Sequence, residues 1–214
     1  MLSWQSKEFL IISTEIMTQQ TDIDKIRRII TRGKYGSVYF ASSFPGFSVA
    51  YVSKLLAGFE KEGLIVRISK GIYLKARQTR FGIAYPPLDI IVKEIAKRDR
   101  AKVIPTGETA ANMLGFSEQV PTRSCFLITG TYRTIRLGDR TVLLKNAAPK
   151  NFEYHNEIVG VLVQALRAVG ADGVTEEIKA KIPGILKDVP RDKNFDSDLG
   201  LAPAWIRKVI RETM

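Results

Sequence analysis

The stretch SVAYVSKLLAGFEKEGLIVRISKGIYL, Ser48 to Leu74, decides how the first part of this chain folds. Val52, Leu55, Leu56 and Phe59 recur at the spacing that puts side chains on one face of a helix. Ser48 offers an N-cap hydroxyl before them, and Gly63 a residue that tolerates a left-handed backbone after them, so a helix is predicted from Ser48 through Glu62. Beyond it, Leu64-Ile65-Val66-Arg67-Ile68 and Ile72-Tyr73-Leu74 are apolar runs separated by Ser69-Lys70-Gly71, the pattern of a β-hairpin around a glycine turn.

Upstream, Ile23, Ile26, Ile29 and Ile30 form a single helical stripe over Asp22 to Arg32, with Thr21 or Asp22 as N-cap and Gly33 as stop. Tyr35-Gly36-Ser37 turns the chain, Val38-Tyr39-Phe40 suits a brief strand, and Ala41 to Phe44 a short helix ended by Pro45-Gly46. Helix, short helix, longer helix and hairpin is the order of a winged helix-turn-helix. In that fold the third helix enters a major groove with its first turn against base edges, and the hairpin lies along the neighbouring backbone. On this reading Ser48, Val49, Ala50, Tyr51, Ser53 and Lys54 face the groove, and Arg67 and Lys70 meet phosphate from the wing. Arg27, Arg28 and Lys34 are candidate backbone clamps whose side of the domain the sequence leaves open. Packing against the preceding helix for Tyr51, and plain solvation for Lys54, stay open beside the groove reading.

The charge distribution agrees with a polyanion partner. The 214 residues carry a formal net charge of +11, and ten of those charges fall between Lys25 and Arg80, where twelve Lys and Arg face only Glu60 and Glu62. A basic block with the apolar pattern of a fold gains free energy by releasing counterions from a phosphate backbone. A solvated basic face without a partner is the competing reading. Apolar residues at 45% and charged residues at 26% are the composition of an ordinary globular protein. The single cysteine, Cys125, excludes an intramolecular disulfide and is expected as a buried strand residue. Phe9-Leu10-Ile11-Ile12, flanked by Glu8 and Glu15, is too short to span a membrane or serve as a convincing signal peptide, so a cytoplasmic location is expected. Met1 and Met17 both remain candidate translation starts, and residues 1–21 are read as an N-terminal extension.

The expected fold class is α+β: a winged helix-turn-helix over residues 22–76, a linker over 77–87 ending in Tyr85-Pro86-Pro87, and a mixed α/β domain over 88–214. The second domain is predicted to open with a helix from Leu88 to about Arg98. A strand at Lys102 to Pro105 follows, then a helix from Gly107 to Leu114 capped by Thr106. A strand at Cys125 to Thr129 precedes a hairpin of Arg133 to Leu137 and Arg140 to Leu144 about Gly138-Asp139. A helical tail begins at about residue 155, with helices at 155–169, 175–186 and 203–212; its nine basic and nine acidic side chains point to packing or protein contact rather than to a polyanion site.

Signals of catalysis are weak. His155 has no second His or Cys beside it, which disfavours a metal site or a catalytic dyad and favours a surface or capping role. No phosphate-cradling glycine loop occurs. Asp196-Ser197-Asp198 has the alternating carboxylates of a divalent-metal site but reads as a solvated loop, and Thr106-Gly107-Glu108-Thr109 suits a plain helix cap better than an anion cradle. No cofactor, metal or enzymatic activity is therefore expected. A metal-dependent enzyme acting on nucleic acid or nucleotides through Asp196 and Asp198, and a protein-binding adaptor using the helical tail, are the alternatives.

Three segments together carry a resemblance. Leu64 to Tyr73, Ile104-Pro105-Thr106-Gly107-Glu108-Thr109-Ala110-Ala111-Asn112-Met113-Leu114-Gly115, and Gln119-Val120-Pro121-Thr122-Arg123 are similar to the AbiEi-type antitoxins of bacterial type IV toxin–antitoxin (abortive infection) systems, over about residues 22–150. The resemblance implies a winged helix that binds inverted repeats in its own promoter as a transcriptional autorepressor, bound as a homodimer or as cooperative monomers. It also implies a second domain with antitoxin activity against a nucleotidyltransferase-like toxin, without need of a stable complex between the two. The segment after His155 has no counterpart in that resemblance.

Overall fold

The computed structural model describes residues 20–214. The apolar stretch Phe9 to Ile12 and the alternative start Met17 lie outside the described residues. The chain is an α+β protein that divides into two compact units, one up to Pro87 and one from Leu88 onward.

In the first unit, helix α1 covers residues 20–32 and helix α2 covers Val49–Lys61, with a 3-10 turn at Ala41–Ser43 between them. Strands β1 (Val38–Tyr39), β2 (Val66–Ser69) and β3 (Ile72–Leu74) form an antiparallel sheet in the order β1-β3-β2. Most of the apolar stripes read from the sequence meet in one core: Ile26 and Ile30 from α1, Val52, Leu56 and Phe59 from α2, and Tyr39, Phe44, Ile65 and Tyr73 from the sheet and its connections. Ile29, read into the α1 stripe, is instead exposed. Leu55 is half-buried at its edge. Ser48 caps α2 as expected, its Oγ accepting from the Tyr51 amide at 3.3 Å. At the end of α1 a Cβ on Gly33 would sit 1.8 Å from the Tyr39 hydroxyl, so that side chain would have to shift. Lys75 closes the same helix end by donating to the Ile30 and Thr31 carbonyls, where a cation complements the helix dipole.

Residues 77–87, expected as a linker, instead hold a β-hairpin of β4 (Arg77–Thr79) and β5 (Gly82–Ala84), with Arg80 and Phe81 as its two turn residues. The sequence shows no apolar alternation here because neither strand buries a residue. The hairpin is fixed locally instead. Thr79 Oγ1 donates to the Gly82 carbonyl at 2.8 Å and accepts from the Phe81 amide at 3.2 Å.

The second unit is built on a mixed sheet of β6 (Val103–Pro105), β7 (Arg123–Ile128), β8 (Arg133–Leu137) and β9 (Arg140–Asn146), in the order β6-β7-β9-β8. The β8–β9 hairpin turns at Gly138-Asp139, with Leu137 opposite Arg140 and Gly138 at φ 62°. The parallel pairing of β7 with β9 is a non-local feature that no local pattern announces. Cys125 lies in β7 and is half-buried rather than buried. Six helices complete the unit: α3 (Leu88–Asp99), α4 (Glu108–Met113), α5 (Glu157–Val169), α6 (Glu176–Ile185), α7 (Lys193–Leu201) and α8 (Ala204–Glu212).

Helix α5 organises this unit. Every residue from Val159 to Leu166 is buried, as in a helix covered on all sides. Val159, Leu162, Val163 and Leu166 meet α6, α7 and α8 through Ile178, Ile182, Phe195, Leu199, Ile206 and Ile210, while Val161 and Ala165 meet Ile104, Ala110 and Ala111. The last three helices are thus one wall of a core rather than a tail. Two local expectations are corrected. Thr106 does not cap α4; its hydroxyl donates to Gln164 Oε1 at 2.8 Å, and Gly107 at φ 63° occupies the cap position without a side-chain bond. Asp196-Ser197-Asp198 is not a solvated loop but part of α7, capped by Asp192 through the Asn194 and Phe195 amides.

Candidate nucleic-acid interface

The exposed surface of the first unit is basic, and its cations sort by what they touch. Arg27, expected as a phosphate clamp, is engaged within the unit: its guanidinium grips both carboxylate oxygens of Glu62, at 2.5 and 3.1 Å, and stacks over the Phe59 ring at 4.7 Å. The bond to Glu62 holds the guanidinium above its ordinary pKa, and the same bond holds the Glu62 carboxyl below the usual carboxylate range. Phe59 and Glu62 sit at the C-terminal end of α2, about 15 Å along the helix axis from Val49. Arg27 is therefore neutralised and remote from the turn of α2 that Ser48 caps.

At that N-terminal turn, Val49, Ala50, Ser53 and Lys54 are exposed, Val49 at 63%. Ala50 and Lys54 lie on the side of α2 opposite its buried stripe of Val52, Leu56 and Phe59, Ser53 lies on its flank, and Val49 is exposed in the first turn in line with Val52 and Leu56. Tyr51 differs: it is half-buried against the core of the unit, as the packing reading required. Ser48 is exposed, but its hydroxyl already holds the Tyr51 amide.

The β2–β3 turn carries the other expected contacts. Arg67 lies opposite Tyr73, with an irregularity in register before Ser69, and its Nε donates to the Ser69 carbonyl at 3.4 Å. Lys70 is exposed at the tip, followed by Gly71 at φ 70°. Arg28 and Lys34 are exposed on and just after α1. Among the described residues, Arg28, Lys34, Lys54, Arg67 and Lys70 take part in no ion pair. From Gly63 to Leu88 the sequence contains no Asp or Glu at all, while Arg67, Lys70, Lys75, Arg77 and Arg80 fall within it.

In the second unit, the segment that carries the antitoxin resemblance is engaged in the fold. Thr106 holds Gln164, Thr109 Oγ1 accepts from the Cys125 amide at 2.7 Å, and Asn112 Nδ2 donates to the Ser117 carbonyl at 3.0 Å. Gly107 and Gly115 both adopt positive φ. These residues tie β6, α4, β7 and α5 together.

A model of a family of unknown function, DUF6088, matches residues 25–194, which takes in both units. The chain belongs to this family. No curated protein matches the sequence.

The carboxylate pair considered as a metal site does not form in this DUF6088 protein. Asp196 and Asp198 are two positions apart on a helix, so they diverge. Asp196 is exposed, 3.9 Å from Arg211, whereas Asp198 is fully buried. No group of three or more potential ligands that could hold a metal ion occurs among the described residues. Asp198 has a different role that the sequence concealed. Its Oδ1 accepts from the His155 amide at 2.7 Å and lies 2.9 Å from His155 Nδ1, and its Oδ2 accepts from the Asn156 amide at 2.9 Å. It anchors the approach to α5 from forty-odd residues downstream, while Asn156 caps that helix. His155 is exposed, as the surface reading expected, and is held by this carboxylate. None of the described helices is long and apolar enough to cross a membrane.

Proposed function

We propose that this protein is a cytoplasmic, sequence-specific DNA-binding repressor whose first unit is a winged helix-turn-helix. Helix α2 enters the major groove through Val49, Ala50, Ser53 and Lys54, and the β2–β3 turn lays Arg67 and Lys70 along the backbone. The observation that supports this most directly is the pairing of an exposed, unneutralised N-terminal face on α2 with a hairpin inside an acid-free run of sequence.

The resemblance to AbiEi-type antitoxins extends the proposal to an autorepressor that occupies inverted repeats in its own promoter in two copies. Its second unit then acts as the antitoxin of a nucleotidyltransferase-like toxin encoded beside it. Thr106, Thr109 and Asn112 of the resembling segment are engaged internally and support a structural role for it, whereas Glu108 is exposed.

Fluorescence anisotropy with a duplex of the DNA immediately upstream of the reading frame tests the DNA-binding proposal. Lys54→Ala and Arg67→Ala should each weaken binding about 5- to 10-fold, the cost of one groove or phosphate contact. Arg27→Ala removes the same charge from the far end of α2 and should change affinity less than about twofold, since its charge is already paired. Equal losses in all three variants would show that only bulk charge matters and would refute the assignment of α2.

A further inference from the structure

Phe81 is the most exposed large apolar side chain among the described residues, at 86%, and it stands at the tip of the β4–β5 hairpin. An isolated two-stranded hairpin that buries no residue is marginal in water. Here the turn is nonetheless specified, through Thr79, to present one aromatic ring outward. The Arg80 guanidinium covers the ring at 4.6 Å from its centroid. At the hairpin base, Arg77 stacks on Tyr35 at 5.0 Å, and Pro86 approaches Gly36, so the ribbon is tethered to the turn after α1. Arg77 and Arg80 lie in the acid-free run from Gly63 to Leu88.

We infer that this hairpin is a second DNA-contacting element, which places Phe81 as an apolar wedge against a base step in the minor groove while Arg80 and Arg77 meet the flanking phosphates. The inference rests on the DNA-binding proposal above. Its occupant is duplex DNA because the ring comes with cations and no acid. A protein surface that buries an aromatic needs no such one-sided charge, whereas minor-groove binders combine Arg with an inserted Phe, Leu or Met and kink the duplex toward the major groove. A narrow minor groove also concentrates negative potential, which favours an arginine beside the wedge. No bond is made or broken; the step is unstacking of one base step, offset by the added contacts.

The test uses the full chain and the upstream duplex, read by anisotropy for affinity and by end-to-end energy transfer for bending. Phe81→Ala should weaken binding about 10-fold, the scale of one lost aromatic–base contact, and should remove the bend. Phe81→Trp should keep both. The ring touches no core, so the melting temperature of Phe81→Ala should match the parent. If Lys54→Ala weakens binding and Phe81→Ala changes neither affinity nor bend, the wedge is overturned and the α2 assignment stands. If the unaltered protein binds no duplex, both fall. If Phe81→Ala abolishes self-association measured without DNA and leaves DNA affinity intact, the hairpin belongs to a protein interface and the inference is also overturned.

Discussion

Affinity for operator DNA should fall about a thousandfold between 50 and 200 mM monovalent salt, because six Lys and Arg side chains brought against the duplex release its counterions together. The count follows from the sorting of cations in the first unit. Arg27 is neutralised by Glu62, Lys25 pairs with Asp22, and Lys75 closes the end of α1, so none of these contributes. Lys54 in the groove and Arg67 and Lys70 on the wing remain at the surface proposed for α2 and the β2–β3 turn, and two copies on an inverted repeat double them; phosphate contacts by Arg77 and Arg80 would steepen the dependence further. The expected slope of log K against log salt is about −5, and Lys70→Ala, which removes one contact per copy, should bring it to about −3.5. A slope near −3 with the unaltered protein would instead mark one copy per site. Affinity that is flat in salt would sink the operator proposal outright, since specific binding without phosphate neutralisation leaves the basic block unexplained.

The parts legible in the sequence were those in which local pattern and tertiary demand coincide. Val52, Leu56 and Phe59 are buried because their spacing follows the helical period, and Ser48 caps α2 because nothing competes for its hydroxyl. The β8–β9 hairpin was legible for the same reason: Gly138-Asp139 admits little else. Elsewhere the determining contact lies far away in sequence. Arg27 looks like any exposed helical arginine until Glu62, 35 positions on, arrives at the end of α2. The β4–β5 hairpin is invisible to a search for alternating apolar residues because a single threonine specifies its turn. Helix α7 carried a signal that was outweighed: Asp192 followed by Phe195 and Leu199 is a cap and a helical pair, masked by the neighbouring Pro190, Asp196, Asp198 and Gly200.

The same contrast separates the two kinds of candidate residue. Thr106, Thr109 and Asn112, in the segment that stands out in the sequence, turn inward and fix the joint between β6, α4, β7 and α5. Polar and apolar groups that look ordinary, Lys54, Lys70 and Phe81, are the ones left facing solvent without a structural task that explains them. In this protein the prominent motif marks the fold, and the proposed contact surface is made of side chains that look ordinary in the sequence.

Asp198→Ala should destabilise the second unit by about 3–5 kcal/mol, because two backbone amides lose the buried oxygens that accept from them. The carboxylate is fully buried and receives the His155 and Asn156 amides along with the His155 ring, so alanine leaves donors with no acceptor, each costing about 1–3 kcal/mol. The affected position matters: these amides lead into α5, the helix around which both cores of the unit form. A loss of that size is a large fraction of the 5–15 kcal/mol typical of a domain, and for a unit this size it corresponds to a fall in Tm of roughly 10–15 °C. Asp198→Asn should recover only part of it, because one of the two oxygens becomes an amide that faces a donor. His155→Ala should cost much less, about 1 kcal/mol, since its ring is half-exposed and the two backbone amides keep their acceptor. Thermal melts followed by circular dichroism check the ranking Asp198→Ala, then Asp198→Asn, then His155→Ala. If Asp198→Ala melts within 2 °C of the parent, the carboxylate is not the anchor of α5.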